Sequence, residues 1–216
     1  MSDVIITVRG EHELRVAPER ATVHLAVSGD GAVQDEVVAA VLAAAAPVRE
    51  GLEERQRAGT VDEWTSRRLG VHSERPWSSE GRQLAPVHRA TVEFTATFSD
   101  IPEMSLWVSG VSAEDSVSIG EVRWHLTPQT EAALEREAAT LAVGAAVTRA
   151  RAYAEALGLD DVTPLEITDR GLISTGAPAQ PKAVMMRAAM DSGPVMRFQA
   201  DEITVSATVE GRFRAH

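Results

Sequence analysis

The chain is bracketed by two stretches in which apolar and polar residues alternate. It opens with Ile5-Ile6-Thr7-Val8-Arg9-Gly10, followed by Val16-Ala17-Pro18-Glu19-Arg20-Ala21, and closes with Ile203-Thr204-Val205-Ser206-Ala207-Thr208-Val209-Glu210-Gly211. A period of two sends alternate side chains to opposite faces of a strand, so each such stretch has one face for a core and one for water. Two long alanine-rich helical patterns lie between the brackets. Sheets wet on one face and helices that need cover fit together as an α+β protein with helices on one face of a mostly antiparallel sheet.

Strands are expected at 4–9 and 21–28, joined by a polar loop, with Gly29-Asp30-Gly31 breaking the second. Val33, Val37, Val41, Leu42, Ala45, Val48 and Leu52 then recur at three and four residues, a helical stripe. Pro47 sits inside it and predicts a kink or a break, because proline removes a donor and clashes with the preceding turn. A strand at 62–74 follows, then a long hairpin connection from Pro76 to Pro86. The cleanest strand is 87–98, with Ala90, Val92, Phe94, Ala96 and Phe98 on one face.

Asp100 and Glu103 open a short helix carrying Met104, Trp107, Val108 and Val111, in the pattern of a capping box. A strand at 117–126 precedes Thr127-Pro128, an N-cap and first-position pair for a helix over 129–157. Its inward stripe is read as Leu134, Ala138, Leu141, Ala145, Ala152 and Leu157, small enough to lie close to a sheet. Gly158 stops it. Strands at 162–168 and 201–213 complete the chain. Residues 170–199 lack a sustained period and hold Met185, Met186, Met190 and Met196. The chain reads as one domain over 1–216, with two sub-units conceivable at about 1–98 and 99–216, whose sequences are too dissimilar to be a repeat.

Several function classes are excluded by composition. The net charge of −11 leaves no basic surplus for phosphates, so nucleic acid is not an expected partner, nor is an anionic membrane surface. Cysteine is absent, which removes disulfides, thiolate metal sites and cysteine nucleophiles. No apolar run is long enough to span a bilayer, so no membrane insertion is expected. No basic segment followed by an apolar core appears near residue 1, and a cytoplasmic location is expected on that ground.

In this order the elements resemble the SIMPL-domain family. The resemblance rests on the Ile-Thr-Val-x-Gly opening, Pro18-x-x-Ala21 leading into a strand, and the long hairpin around 64–98. It continues through Ala150-Arg151-Ala152-Tyr153-Ala154-Glu155-Ala156-Leu157-Gly158-Leu159, running into Val162 and Ile167, and closes with Glu202-Ile203-Thr204-Val205-Ser206-Ala207. It covers about residues 4–213. What it implies is an α+β fold, no established catalytic, cofactor-binding or metal-ligating residues, and self-assembly. Bacterial members are mostly exported to the periplasm or envelope, some linked to stress responses, and eukaryotic members are associated with kinase signalling. The missing export signal departs from the bacterial pattern.

The residues themselves offer few chemical candidates. The histidines are His12, His24, His72, His88, His125 and His216, and no two share a helix face at ligand spacing. His24 and His125 fall on polar strand faces, where an acid–base or metal role competes with that of a solvated sheet residue. Asp30, Asp35 and Glu36 cluster at a helix start, where negative charge is favourable without any catalysis. Glu53-Glu54 and Asp160-Asp161 read as helix-surface and turn residues. Gly29-x-Gly31 lacks the rest of a phosphate cradle, and no serine sits in a Gly-x-Ser-x-Gly elbow. No cofactor is expected.

The first reading is a non-enzymatic, homo-oligomeric scaffold or interaction module, with contacts through sheet edges and a protein partner met through the methionine-rich 170–199 segment. One alternative is a small-molecule binder or small hydrolase using the polar sheet face around His24, Glu93 and His125, and another, implied by the resemblance, is a stress-associated envelope factor.

Overall fold

The computed structural model describes residues 3–79, 81–169 and 200–216. Eight strands and three helices follow in the order β1 (Val4–Val16), β2 (Arg20–Gly31), α1 (Gln34–Ala58), β3 (Val61–Ser66), β4 (Gly70–Glu74), β5 (Val87–Phe98), α2 (Ile101–Val111), β6 (Val117–His125), α3 (Pro128–Ala156), β7 (Val162–Asp169) and β8 (Ile203–Ala215). Every strand pair among the described residues is antiparallel. The α+β class expected from the alternation is the class found. The sheet, however, is two sheets, and the chain divides into two compact units.

One unit holds β1, α3, β7 and β8, with strand order β1-β8-β7. The first strand of the chain pairs with the last along its whole length, from Val4 opposite Ala215 to Val16 opposite Ile203. The polar loop expected after residue 9 is therefore strand. Glu11, Glu13 and Arg15 occupy the exposed positions of a period that continues through Gly10, His12, Leu14 and Val16. β8 supplies a backbone partner for all of it.

α3 covers one face of this sheet, but through a different stripe from the one read in the sequence. Its buried positions are Ala138, Ala142, Ala146, Ala150 and Ala154, while Leu141 and Leu157 are exposed. The reason is Gly10. A Cβ built there would overlap the Ala142 carbonyl oxygen and stand 2.6 Å from the Ala146 nitrogen. The helix backbone rests on the strand backbone, and only methyl groups fit between them. Hydrophobicity assigned the leucines inward; close approach selects alanine at every fourth residue.

The second unit holds β2, α1, β3, β4, β5, α2 and β6, with strand order β3-β5-β2-β6 and β4 also paired to β5. Ala21, Val23, Leu25 and Val27 of β2 and Val92, Phe94, Ala96 and Phe98 of β5 meet Val37, Val41, Ala45, Val48 and Leu52 of α1 and Met104, Trp107 and Val108 of α2 in one core. Phe98 and the Trp107 ring lie 5.4 Å apart, with the Arg55 guanidinium 5.8 Å from the Trp107 ring centre.

Three further expectations are corrected in this unit. Gly29-Asp30-Gly31 does not end β2; it stays in the ladder opposite Ala90, Arg89 and His88, and the two glycines leave room for the Val41 and Val37 methyls. α1 runs through Pro47 without a break, its core stripe continuing from Ala45 to Val48 and Leu52. Packing of that stripe outweighs the donor lost at proline. The strand expected at 62–74 is two, β3 and β4, separated at Arg67, whose N–H bonds the Glu93 carbonyl at 2.8 Å.

The capping motif at α2 is half formed. Asp100 accepts from the Glu103 N–H at 2.9 Å, but the Glu103 carboxylate turns to Arg55 at 3.0 Å instead of reaching back. Thr127 caps α3 by accepting from the Thr130 N–H.

Candidate functional site

The helix-free face of the five-stranded sheet gathers the polar residues singled out in the sequence. β2 contributes Thr22, His24 and Ala26; opposite them on β5 stand Thr97, Thr95 and Glu93. His24 Nδ1 and the Thr95 hydroxyl are 3.1 Å apart. The Thr22 hydroxyl lies 3.0 Å from that of Thr97 and 2.9 Å from His125 Nε2. His24 Nε2 is buried without a hydrogen-bond partner.

A shallow hollow of about 350 Å³ opens beside His24, with Glu93, Arg67, Thr95 and Ser118 around it. Arg67 and Glu93 form an ion pair of 3.0 Å at its rim. Gly120 lets β6 press against β2 there: a Cβ on it would stand 3.2 Å from the His24 carbonyl, and the β2–β6 register shifts at this point. A glycine inside a strand pattern is the usual mark of such a bulge. Next to it, Arg123 donates to Glu121 at 2.8 Å and holds that carboxyl below its ordinary range, with a smaller contribution from His24.

Of the three residues proposed from sequence, His24 and Glu93 line this hollow and His125 does not, being engaged with Thr22. Arg67, Ser118 and Gly120 were not anticipated. Arg67 belongs to a break between strands that the sequence ran together, and only Gly120 carried a local signal.

The remaining candidates disperse. His88 bonds Ser73 at 2.7 Å across β4 and β5, His12 lies opposite Ala207, and His216 pairs through its backbone with Asp161. Asp35 and Glu36 occupy the first turn of α1, Glu53 and Glu54 its exposed surface, and Asp161 accepts from the Val162 N–H at 2.7 Å. Among the described residues no group of three or more His, Asp or Glu is arranged to hold a metal ion. Nor is any helix among them long and apolar enough to cross a membrane. Met185, Met186, Met190 and Met196 lie outside the described residues.

A different surface feature stands out by exposure. β4 pairs with the first residues of β5, Trp77 bridges to Gln83, and the Leu84 N–H returns to the Pro76 carbonyl at 2.8 Å. None of the described residues from 70 to 89 is buried. This hairpin arm carries Trp77 at 68% exposure, Leu84 at 48% and Val71 at 42%. β4 is an outer strand of the five-stranded sheet, since residues 88–90 of β5 also pair with β2, and the large apolar side chains held out on it and on the turn beyond mark a contact surface.

With strand order, helix cover and hairpin established, comparison with known proteins assigns the family. The family model SIMPL, a protein of unknown function (DUF541), matches residues 6–213. The chain belongs to the SIMPL family. No curated protein matches it. The match runs from β1 through β8 and includes both the His24 face and the arm of this SIMPL chain.

Proposed function

We propose that this SIMPL chain is a non-catalytic, self-assembling scaffold or interaction module. The observation that carries the reading is the arm: an exposed tryptophan with Val71 and Leu84 on a hairpin that has no core of its own. The arm itself is close to neutral, residues 70–89 holding three arginines against two glutamates, so its apolar side chains carry the reading.

The β1 edge is a poorer contact. The Arg149 guanidinium already donates to the Arg9 carbonyl at 2.6 Å, and Arg9, Glu11, Glu13 and Arg15 line the strand. Charged side chains on an edge guard it against casual pairing.

Light scattering on purified full-length protein over a wide concentration range tests the proposal. Mass should rise in steps above that of one chain and fall back in the Trp77→Ser variant. A single-chain mass at every concentration retires the reading.

The unpartnered His24 Nε2 beside a hollow favours a second reading, a small-ligand or hydrolytic site on the polar face. Its test is turnover of an activated p-nitrophenyl ester by wild type and His24→Gln. Rates equal to each other and to buffer remove the hydrolase version.

A further inference from the structure

β1 is joined to the rest of its own compact unit by contacts and not by any short stretch of chain. It ends at Val16 and β2 begins at Arg20, so the connector is Ala17, Pro18 and Glu19, and the unit boundary falls between the first two. Past that point the chain builds the whole five-stranded unit before Leu126 leads back to α3, β7 and β8. β1 and β2 belong to different sheets, and among the described residues no ladder joins them. Ala17 stands before a proline and so favours extended backbone, while Pro18 has its own φ fixed. The Glu19 N–H bonds the His125 carbonyl at 3.2 Å, which ties the far side of the connector to the five-stranded unit. Ala17-Pro18 is therefore the pivot of β1.

The seat that β1 fills is selective. It offers a ladder of thirteen residues on β8, and Ile6 and Val8 are buried there with Ala142, Ala146, Val209 and Phe213. At position 10 it admits only glycine, because the Ala142 carbonyl and the Ala146 nitrogen fill the space of a Cβ. One residue earlier it calls for a cation: the buried Glu210 carboxylate meets the Arg9 guanidinium at 3.1 Å. A strand with this period, an arginine and then a glycine at those two places is β1 of this chain, whichever copy supplies it.

We infer that β1 is exchanged between copies: the strand of one chain takes the place beside β8 and against α3 of a second, which returns its own. This deepens the self-assembly reading and rests on it. The same ladder and the same alanine contact form in the closed chain and in the exchanged pair, so the balance is set chiefly at the Ala17-Pro18 pivot and by concentration. Reciprocal exchange uses one strand and one seat in both directions, which gives a closed two-fold pair.

The absence of cysteine makes the test clean. Glu13 and Ser206 are exposed and stand opposite each other in the β1–β8 ladder. Opposed Cα atoms in such a ladder lie about 4.5–5.5 Å apart, within the span a disulfide bridges. The full-length Glu13→Cys/Ser206→Cys protein, its fold checked by far-ultraviolet circular dichroism, is held at high concentration and separated by size into single-chain and assembled fractions. Each fraction is then oxidised, or bridged with a short bis-maleimide that does not need disulfide geometry. On a denaturing gel without reductant the assembled fraction should run at twice the mass of one chain, and the single-chain fraction at that of one. Glu13→Cys alone and Ser206→Cys alone should run as one chain in both fractions. Assembled protein that runs at the mass of one chain overturns the exchange and leaves self-assembly through the arm standing. Links between chains that also form in a single-cysteine variant overturn it as well, since they report surfaces that merely touch. A protein that never assembles removes both the exchange and the reading beneath it.

Discussion

The two helix-on-sheet layers of this protein solve one problem with opposite materials. In the three-stranded unit, α3 lies on β1 through alanines and Gly10, backbone nearly against backbone. In the five-stranded unit, α1 and α2 stand off on valines, Leu52, Met104, Trp107, Phe94 and Phe98. Glycines lie under the helix in both, yet they do different things. Above Gly10 the obstacle is the Ala142 carbonyl and the Ala146 nitrogen; above Gly29 and Gly31 it is the γ-methyls of Val41 and Val37, at 3.1 and 2.9 Å. A valine side chain, stiff as it is in a helix, can give by a few tenths of an ångström, and a helix backbone cannot. Tolerance to change thus depends on which atoms face the glycine, more than on how close they come.

Substitutions sharpen that contrast. Phe98→Ala empties the best-packed part of the aromatic layer and should cost about 3–5 kcal/mol in denaturant unfolding. Gly10→Ala adds one carbon to the other layer and should destabilise by about 3 kcal/mol, the upper end of ordinary overpacking. A loss well under that would mean α3 slides freely, and the claimed rigidity of the alanine contact would be wrong. Asp100→Ala removes the cap of α2 and should cost about 1 kcal/mol by the same measurement. Gly31→Ala is the counterpart of Gly10→Ala. Val37 must shift to admit the new methyl, but a side chain gives more readily than helix backbone, so the cost should be about 1 kcal/mol, well below that at Gly10. Equal effects at Gly10 and Gly31 would erase the distinction between the layers.

The smallest effect concerns Glu121. Its carboxyl is held below the ordinary range chiefly by the hydrogen bond from Arg123. A carboxylate with a depressed folded-state pKa favours the fold above its unfolded pKa and loses that contribution as pH falls through the folded value. The group is fully exposed, so the readout is its own titration by NMR: the midpoint should rise in Arg123→Ala.

What the sequence disclosed follows from which forces act locally. The period of two at 87–98 and 203–209 located β5 and β8, since alternate burial is written residue by residue. Thr127-Pro128 and Asp100 marked helix starts, because caps are short-range chemistry. The alanine stripe was misread because Gly10, more than 120 positions earlier, determines how near α3 comes. The division into two sheets depends on β1 pairing with β8, a partnership no local pattern declares. At the polar face, His24 and Glu93 were found through strand alternation, whereas Arg67 entered through a tertiary bond to the Glu93 backbone. The arm was legible as a hairpin connection from Pro76 to Pro86, but the exposure of Trp77 was not.

Pairing the first strand with the last also orders events during synthesis. The elements from β2 to β6 are contiguous in the chain and can condense while translation continues. β1 emerges first and must wait, since its ladder partner is at 203–215. The alanine-lined layer is therefore completed only after β8 has been made, and a product terminated before β8 carries an orphaned β1. β8 thus acts as a molecular receipt that synthesis has passed the strand that β1 requires.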